Sequence, residues 1–446
     1  MHVRRLPDVE PFASLVRLFL LGLPVTRAVA EAALGDSEVR ALESSGVLGH
    51  VDDGRLRAAL KLVPHGDLLI ASDRDDDGPT GSDWVAGMHP PSVTLAKLTA
   101  RRNVERALDV ATGNGIQALL ASRHAETVVA TDVNPRALAF AGLNARLNGV
   151  SNIELREGSY LDPVEGESFD LVTCNPPYVI SPESRFAYRD SGLAGDTVSR
   201  EVVQSVPRHV REGGFAHILV SWAHPPEDWS SVVEEWVRGR GCDAWLLYFG
   251  SDDPITHAAE WLRPVALHEP DEFADALGRW LDYLDGLGIE AIAHGAVILR
   301  RRAGGANWTR VDRVSLDQLE QASEHILRVF ANEDYLQALQ DERSLLDERL
   351  ALVEHHHLQQ TIVCRGGGAD VTSIVLALDE GLGFRTALDV HTARLVPLLD
   401  GERPLVDVLR QLAAEMNLDD DDTRRYEDAA VPVVRRLLEL GFLVRE

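Results

Sequence analysis

Asp109-Val110-Ala111-Thr112-Gly113-Asn114-Gly115 stands between an apolar run, Arg106 to Ala111, and a segment of helical spacing that begins at Ile116. Glycines in such a turn let the main chain come close to a ligand without interference from a Cβ. Asp132 closes the next apolar run, Thr127 to Thr131, where a carboxylate can accept both hydroxyls of a ribose. On glycines alone, Gly113-x-Gly115-x-x-Ala118 also satisfies the dinucleotide fingerprint, so a nicotinamide cofactor is one option. Asp109 weighs against it, because an acidic group beside the turn repels a pyrophosphate and suits a cationic amino-acid moiety. A fourth apolar run, Phe169 to Cys174, leads into Asn175-Pro176-Pro177-Tyr178.

The elements that must carry these residues alternate strand and helix. Strands are expected at 106–111, 127–131, 152–156, 169–174 and 215–220, with helices at 116–122, 135–147 and 197–210, Pro135 being well suited to a first helical position. Further strands are expected at 244–249 and 291–300, separated by a helical segment around 258–284, and 301–307 reads as a surface exit. This βαβ repetition predicts an α/β, mostly parallel, doubly wound sheet. Before it, residues 11–63 read as short helices followed by a small hairpin, a winged-helix-like pattern. The Asp-rich turn at 73–81 sets a boundary. The expected domains are 1–80, winged-helix-like; 81–305, the sheet domain; and 306–446, an accessory α+β domain. That last segment is read as a connecting helix pair over 315–352 and a second winged-helix-like module over 398–405 and the amphipathic helix after it.

The glycine turn followed by Asn-Pro-Pro-Tyr resembles class I S-adenosylmethionine (SAM) methyltransferases, of the branch that methylates planar amide-like or exocyclic nitrogens. The resemblance covers 84–302 and is nearest to the release-factor glutamine methyltransferases of the HemK/PrmC type. It implies a seven-stranded Rossmann-like core, with SAM as cofactor and S-adenosylhomocysteine as product. Asp109, Ala111, Thr112, Gly113, Asn114 and Gly115 would cradle the methionine part, Asp132 the ribose hydroxyls, and Val133 and Asn134 would flank the adenosine. Where the family usually carries an acidic residue near the adenine, this chain has Gly158-Ser159-Tyr160, so Ser159 and Tyr160 take that place.

Asn175, Pro176, Pro177 and Tyr178 would be the catalytic residues. A carboxamide nitrogen has a delocalised lone pair and is a poor nucleophile until acceptors hold its hydrogens in a methyl-facing geometry. The Asn175 side-chain oxygen and the Pro176 carbonyl supply two acceptors, Pro177 stiffens the turn, and Tyr178 can stack on the planar group. His89, in the Gly87-Met88-His89-Pro90-Pro91 segment, and Phe186, Tyr188 and Arg189, in the long loop after the tetrapeptide, are substrate-loop candidates. Arg189 and Asp190 can instead pair with each other.

Composition bounds the partners. The chain has 446 residues, 44 Lys and Arg against 71 Asp and Glu, and a net charge of −27 spread over all three segments. Nucleic-acid binding relies on cations that displace counterions from phosphates, which tilts the expectation toward a protein substrate such as a release factor. An adenine or guanine amino group in RNA is the alternative, and a non-catalytic SAM-binding regulator the alternative of another class. Three cysteines without metal-ligand spacing fit a reducing cytoplasm, and no membrane span is expected. No metal is expected either: three consecutive histidines, 355–357, cannot readily converge on one ion. The pattern leaves the oligomeric state open.

Overall fold

The computed structural model describes residues 10–51, 53–75, 81–184, 189–190, 192–304, 306–365 and 368–445. Its contacts divide the chain into two units: residues 1–96 with 102–313, and residues 97–101 with 314–446. The first 80 residues do not stand apart as a unit, and the later division falls after 313 instead of 305.

The first unit is organised on one sheet. Its strands are β1 (Val104–Val110), β2 (Ala125–Asp132), β3 (Ile153–Glu157), β4 (Phe169–Cys174), β5 (Val210–His224), β6 (Cys242–Asp252), β7 (Ala291–Arg301) and β8 (Thr309–Arg313). Their spatial order is 3-2-1-4-5-7-6-8, with β7 antiparallel to both neighbours and the remaining pairs parallel. The sheet therefore has eight strands where seven were expected. The extra one, Thr-Arg-Val-Asp-Arg, is a half-exposed edge strand whose charges hide its pairing with β6.

The connecting helices include α1 (Pro90–Leu98), α2 (Ile116–Ala121), α3 (Pro135–Leu147), α4 (Thr197–Ser205), α5 (Ser231–Val237), α6 (Pro254–Trp261), α7 (Arg263–His268) and α8 (Pro270–Gly286). Central strands here are covered on both faces, so β1 and β4 carry unbroken buried runs, Ala107–Val110 and Leu171–Cys174. One buried cluster joins Leu108, Val110, Phe169, Val172 and Ile218 from the sheet to Val202, Val206 and Trp236 from the elements packed on it. Burying side chains of this size contributes roughly 1.5–3 kcal/mol each.

Short helices at Pro11–Leu15, Arg27–Leu34 and Asp36–Ser44 precede the hairpins Leu48–His50 with Leu56–Ala58 and Leu60–His65 with Leu68–Asp73. The second hairpin matters for the site, because Asn144 of α3 bonds both ways to Ala71 of its last strand: Ala71 N donates to Asn144 Oδ1 at 2.7 Å, and Asn144 Nδ2 donates to Ala71 O at 2.9 Å.

In the second unit, the expected helix pair over 315–352 is replaced by one helix, Ser323–Ala338, two 3-10 segments, Leu316–Gln318 and Glu342–Asp347, and the strand Arg349–Leu352. That strand lies between Asp400–Pro404 and Leu443–Arg445 in an antiparallel sheet, beside the helices Leu405–Glu415 and Asp420–Glu439. A long hairpin, His356–Arg365 with Gly368–Leu378, pairs further with Arg385–Ala387. Among the described residues no helix is long and apolar enough to cross a membrane.

Candidate active site

Strand order reverses between β1 and β4, and ligands of open α/β sheets bind outside the carboxyl ends of the strands at such a point. The register does the placing. Val110 lies opposite Cys174, so the turn that starts at Ala111 and the tetrapeptide that starts at Asn175 leave the sheet side by side. Ala111 and Gly113 take positive φ, 55° and 56°, and a Cβ added at Gly113 would meet open space.

Two cavities share this edge. The first, of about 320 Å³, is lined by Asp109, Ala111, Thr112, Gly113, Asn114, Asp132, Val133, Asn134, Ser159, Tyr160, Asn175 and Pro177, and on its other side by Trp84, Val85, Ala86, Gly87 and His89. The second, of about 350 Å³, is lined by His89, Pro90, Pro91, Asn175, Pro176, Tyr178, Val179, Arg189, Glu260 and Trp261. His89 and Asn175 belong to both. Among the described residues the Asn175 amide has no hydrogen-bond partner.

The hydrogen bonds of the turn decide what kind of ligand it takes. Gly113 N donates to Asp132 Oδ2 (2.8 Å), Gly115 N to Thr112 O (2.9 Å), Ile116 N to Asn114 Oδ1 (3.1 Å) and Ala118 N to Asp109 Oδ2 (3.2 Å). Those amides are the donors a pyrophosphate would need at a helix start. Here they are spent on carboxylates and local acceptors, so the turn presents acidic side chains. The nicotinamide option therefore loses these four donors.

Asp109 is fully buried between Thr112 Oγ1 (2.6 Å) and Thr173 Oγ1 (2.9 Å), and burial raises its carboxyl to about 6 against those favourable bonds. Burial also raises Asp132, which accepts from Gly113 N and, at 2.9 Å through Oδ1, from Asn134 N. Two carboxylates that lost hydration without gaining a cation suit a positively charged ligand. Val133, beside them, leaves 61% of its surface exposed on the cavity wall and offers an apolar face for a flat base. Acidic groups at one end and an apolar face at the other fit SAM.

Several expected residues do other work. Gly115 does not line the cavity. Its φ is 85°, and an added Cβ would lie 2.9 Å from Ala141 Cβ, so the glycine serves the contact of the turn with α3. Asn114 Nδ2 donates to Ala86 O (2.9 Å) and Asn134 Nδ2 to Asp83 O (2.8 Å), and both asparagines thereby hold the 83–87 strap over the cavity. Asn134 Oδ1 also caps α3 through Arg136 N. Pro176 and Tyr178 face the second cavity only, and burial pushes the Tyr178 phenol above its usual range.

Arg189 is buried and committed. It donates to Asp190 Oδ1 (2.7 Å) and Glu183 Oε2 (2.7 Å) and lies over Trp280, so it braces the loop, and it also contributes to the second cavity's wall. His89 Nδ1 pairs with Ser92 Oγ at 2.8 Å, and burial lowers the ring's pKa. Phe186 and Tyr188 lie outside the described residues. The consecutive histidines do not converge: His356 pairs with Val353 O and His357 Nδ1 with Asp379 Oδ1 at 2.6 Å.

The sequence reading missed the strap residues Trp84 to Ala86 and the second-cavity residues Glu260 and Trp261. The strap is fixed by Asp73, whose Oδ2 accepts from Val85 N (2.8 Å) and Arg136 Nε (3.0 Å). No local pattern announces it, since its partners are distant in the chain.

A family model described as methyltransferase small domain matches residues 91–221. Two domains of unknown function, DUF7059 and DUF7782, match residues 2–59 and 327–445. The chain is 32% identical over 129 residues to a release factor glutamine methyltransferase of Xylella fastidiosa, covering 26% of this chain and 47% of that protein. It is 34% identical over 124 residues to a ribosomal protein uL3 glutamine methyltransferase of Bradyrhizobium diazoefficiens, covering 25% and 39%. A Methanocaldococcus jannaschii protein, named provisionally as a protein N5-glutamine methyltransferase, is 30% identical over 138 residues, covering 29% of this chain and 68% of that protein. The chain spans about half the length of the curated relatives it matches.

Proposed function

The chain belongs to the class I methyltransferases of the HemK/PrmC type, and from that premise we propose that it transfers a methyl group from SAM to the side-chain amide nitrogen of a glutamine in a protein substrate. The observation that carries the reading is Asn175, on the wall common to the two cavities, whose amide has no hydrogen-bond partner among the described residues. Bound SAM supplies an electrophilic methyl on a sulfonium, so no strong base is needed to start the reaction.

The chain's residues then have distinct tasks. Asp109 and Asp132 bind the cofactor's cationic and hydroxyl groups, Ser159, Tyr160 and Val133 border its base, and the 83–87 strap excludes water. Asn175 Oδ1 and the Pro176 carbonyl accept the two amide hydrogens of the glutamine, turning its lone pair toward the methyl. Pro177 keeps those acceptors in place, and Tyr178 borders the planar amide. The amide nitrogen held this way would take the methyl, S-adenosylhomocysteine would leave with the carbon–sulfur electron pair, and one N–H proton would pass to water on the side of the second cavity. Orienting reactants in this way can lower a barrier by about 7–11 kcal/mol.

A net charge of −27 supports a protein over an RNA substrate. The unpartnered Asn175 supports turnover over mere sensing of SAM. Cytoplasmic residence belongs to the same proposal, supported by three unpaired cysteines, Cys174, Cys242 and Cys364. So does a winged-helix comparison for the flanking segments, supported by helices that precede short hairpins near the N-terminus. The test is to incubate the full chain with methyl-tritiated SAM and, in parallel, release factors, ribosomal proteins, ribosomal RNA and small molecules from an extract. Label is expected in protein. Label confined to RNA, or tight SAM binding with no transfer to any fraction, overturns the proposal.

A further inference from the structure

The end of β6 and the start of α6 bring together three side chains that neither the glycine turn nor the tetrapeptide uses. A bulge in β6 between Tyr248 and Gly250 resets its register against β7, so that Asp252 pairs with Ile292 and lies diagonally from His294 on the same face. The chain then turns at Asp253, whose Oδ1 accepts from Ile255 N (2.9 Å) and Thr256 N (3.0 Å) and starts α6. The first turns of that helix carry His257 back over the strand ends, its ring stacked on that of His294 at 5.9 Å and 16°.

The hydrogen bonds of His257 leave one nitrogen spare. Its Nε2 lies 3.0 Å from Ile180 O, a carbonyl that can only accept, so the proton is on Nε2 and Nδ1 carries a lone pair. His257 is 1% exposed, and Nδ1 is buried without a partner among the described residues. A buried acceptor without a donor is destabilising unless something fills the position. Asp252 Oδ2 and His294 Nε2 are 3.2 Å apart, and Asp252, His257 and His294 each offer a ligand atom within 4.8 Å of those of the other two. A tetrahedral ion with bonds of about 2.0–2.1 Å sets its ligand atoms about 3.4 Å apart, a spacing inside that bound.

We propose that Asp252, His257 and His294 form a binding site for a divalent transition metal of the zinc class, with Nδ1 of His257 as its buried ligand and water completing the coordination. Two imidazoles and a carboxylate suit zinc and not calcium or magnesium, which prefer oxygen ligands. The His257 to Ile180 bond has the form of the outer-shell contacts that orient ligating histidines. Ile180 follows Asn175–Tyr178 by two residues, so the ion staples α6 to the β6–β7 edge and fixes the main chain behind the tetrapeptide. The spacing of 252, 257 and 294 matches no short motif, and only the bulge and the helix turn join them.

The site stands on geometry alone and does not depend on the methyltransferase reading. The full-length protein is stripped with a chelator and dialysed against zinc chloride alone, with magnesium chloride in parallel, and bound metal is measured. One equivalent of zinc per chain and no retained magnesium are expected. Asp252→Asn and His294→Gln alter half-exposed side chains and spare the core; each is expected to lower zinc affinity at least about tenfold, as loss of even an outer-shell partner does. His257→Gln should do the same, with folding checked by circular dichroism. Failure of the wild-type chain to retain zinc, equal retention of magnesium, or zinc retention unchanged in both Asp252→Asn and His294→Gln overturns the site.

Discussion

Gly113 N donates to Asp132 Oδ2 at 2.8 Å, which ties the turn after the first strand of the sheet to the tip of the second. The same carboxylate takes Asn134 N on its other oxygen, so it is oriented before any ligand arrives. A ligand hydroxyl therefore meets a fixed acceptor and does not have to order it.

Asp132→Ala removes this acceptor and the tie together. SAM affinity measured by calorimetry is expected to fall at least tenfold, about 1.4 kcal/mol. An unchanged dissociation constant would take Asp132 out of the cofactor site.

Asp109 gives two pH effects of opposite sign. Its carboxyl rises from the usual 3.8 to about 6 on burial in the ligand-free protein, so between those values the folded state holds a proton that the unfolded state has lost. Stability of the ligand-free protein is then expected to fall by about 3 kcal/mol as pH rises from about 4 to above 6, while SAM affinity weakens as pH falls through about 6 and the carboxylate is neutralised. Urea titrations and calorimetry across pH 4–8 read both effects. Asp109→Asn should flatten both, and a variant that keeps the wild-type slopes would assign them to another group.

Gly113 and Gly115 are two residues apart and should fail differently. Gly115→Ala forces a Cβ to within 2.9 Å of Ala141 at φ 85°, and a stability loss of about 1–3 kcal/mol is expected in urea. At Gly113 an added Cβ meets open space, so Gly113→Ala should cost about 1 kcal/mol through its positive φ and chiefly weaken SAM binding. Equal destabilisation by the two would contradict the separate roles.

Much of the sheet was legible because parallel inner strands are mostly apolar runs buried on both faces. Ala107–Val110 and Leu171–Cys174 announce themselves, and the residues that follow them fall at the strand ends where ligands bind. The eighth strand, Thr309–Arg313, was not legible because an edge strand needs no apolar face and this one carries two arginines and an aspartate. Arg349–Leu352 was absorbed into a helical reading because four residues give too short a period to separate from the charged stretch before them. Within the site, Asp109, Asp132, Asn114 and Asn134 all line the first cavity, but residue type did not reveal what the two asparagine side chains bond. Their side chains reach the 83–87 strap, and which partner an amide chooses depends on segments far apart in sequence.

The central claim is that Asn175 holds a glutamine amide for methylation. Its most direct measurement is peptide mass spectrometry of a release factor or ribosomal protein incubated with SAM and either the wild-type chain or Asn175→Ala, with SAM affinity measured for both. The account predicts one added methyl on a glutamine side-chain nitrogen with the wild type, at least about a 100-fold slower reaction with the variant, and similar SAM affinity in the two. Methylation that proceeds equally well without the Asn175 amide, or that falls on a residue other than glutamine, would contradict it.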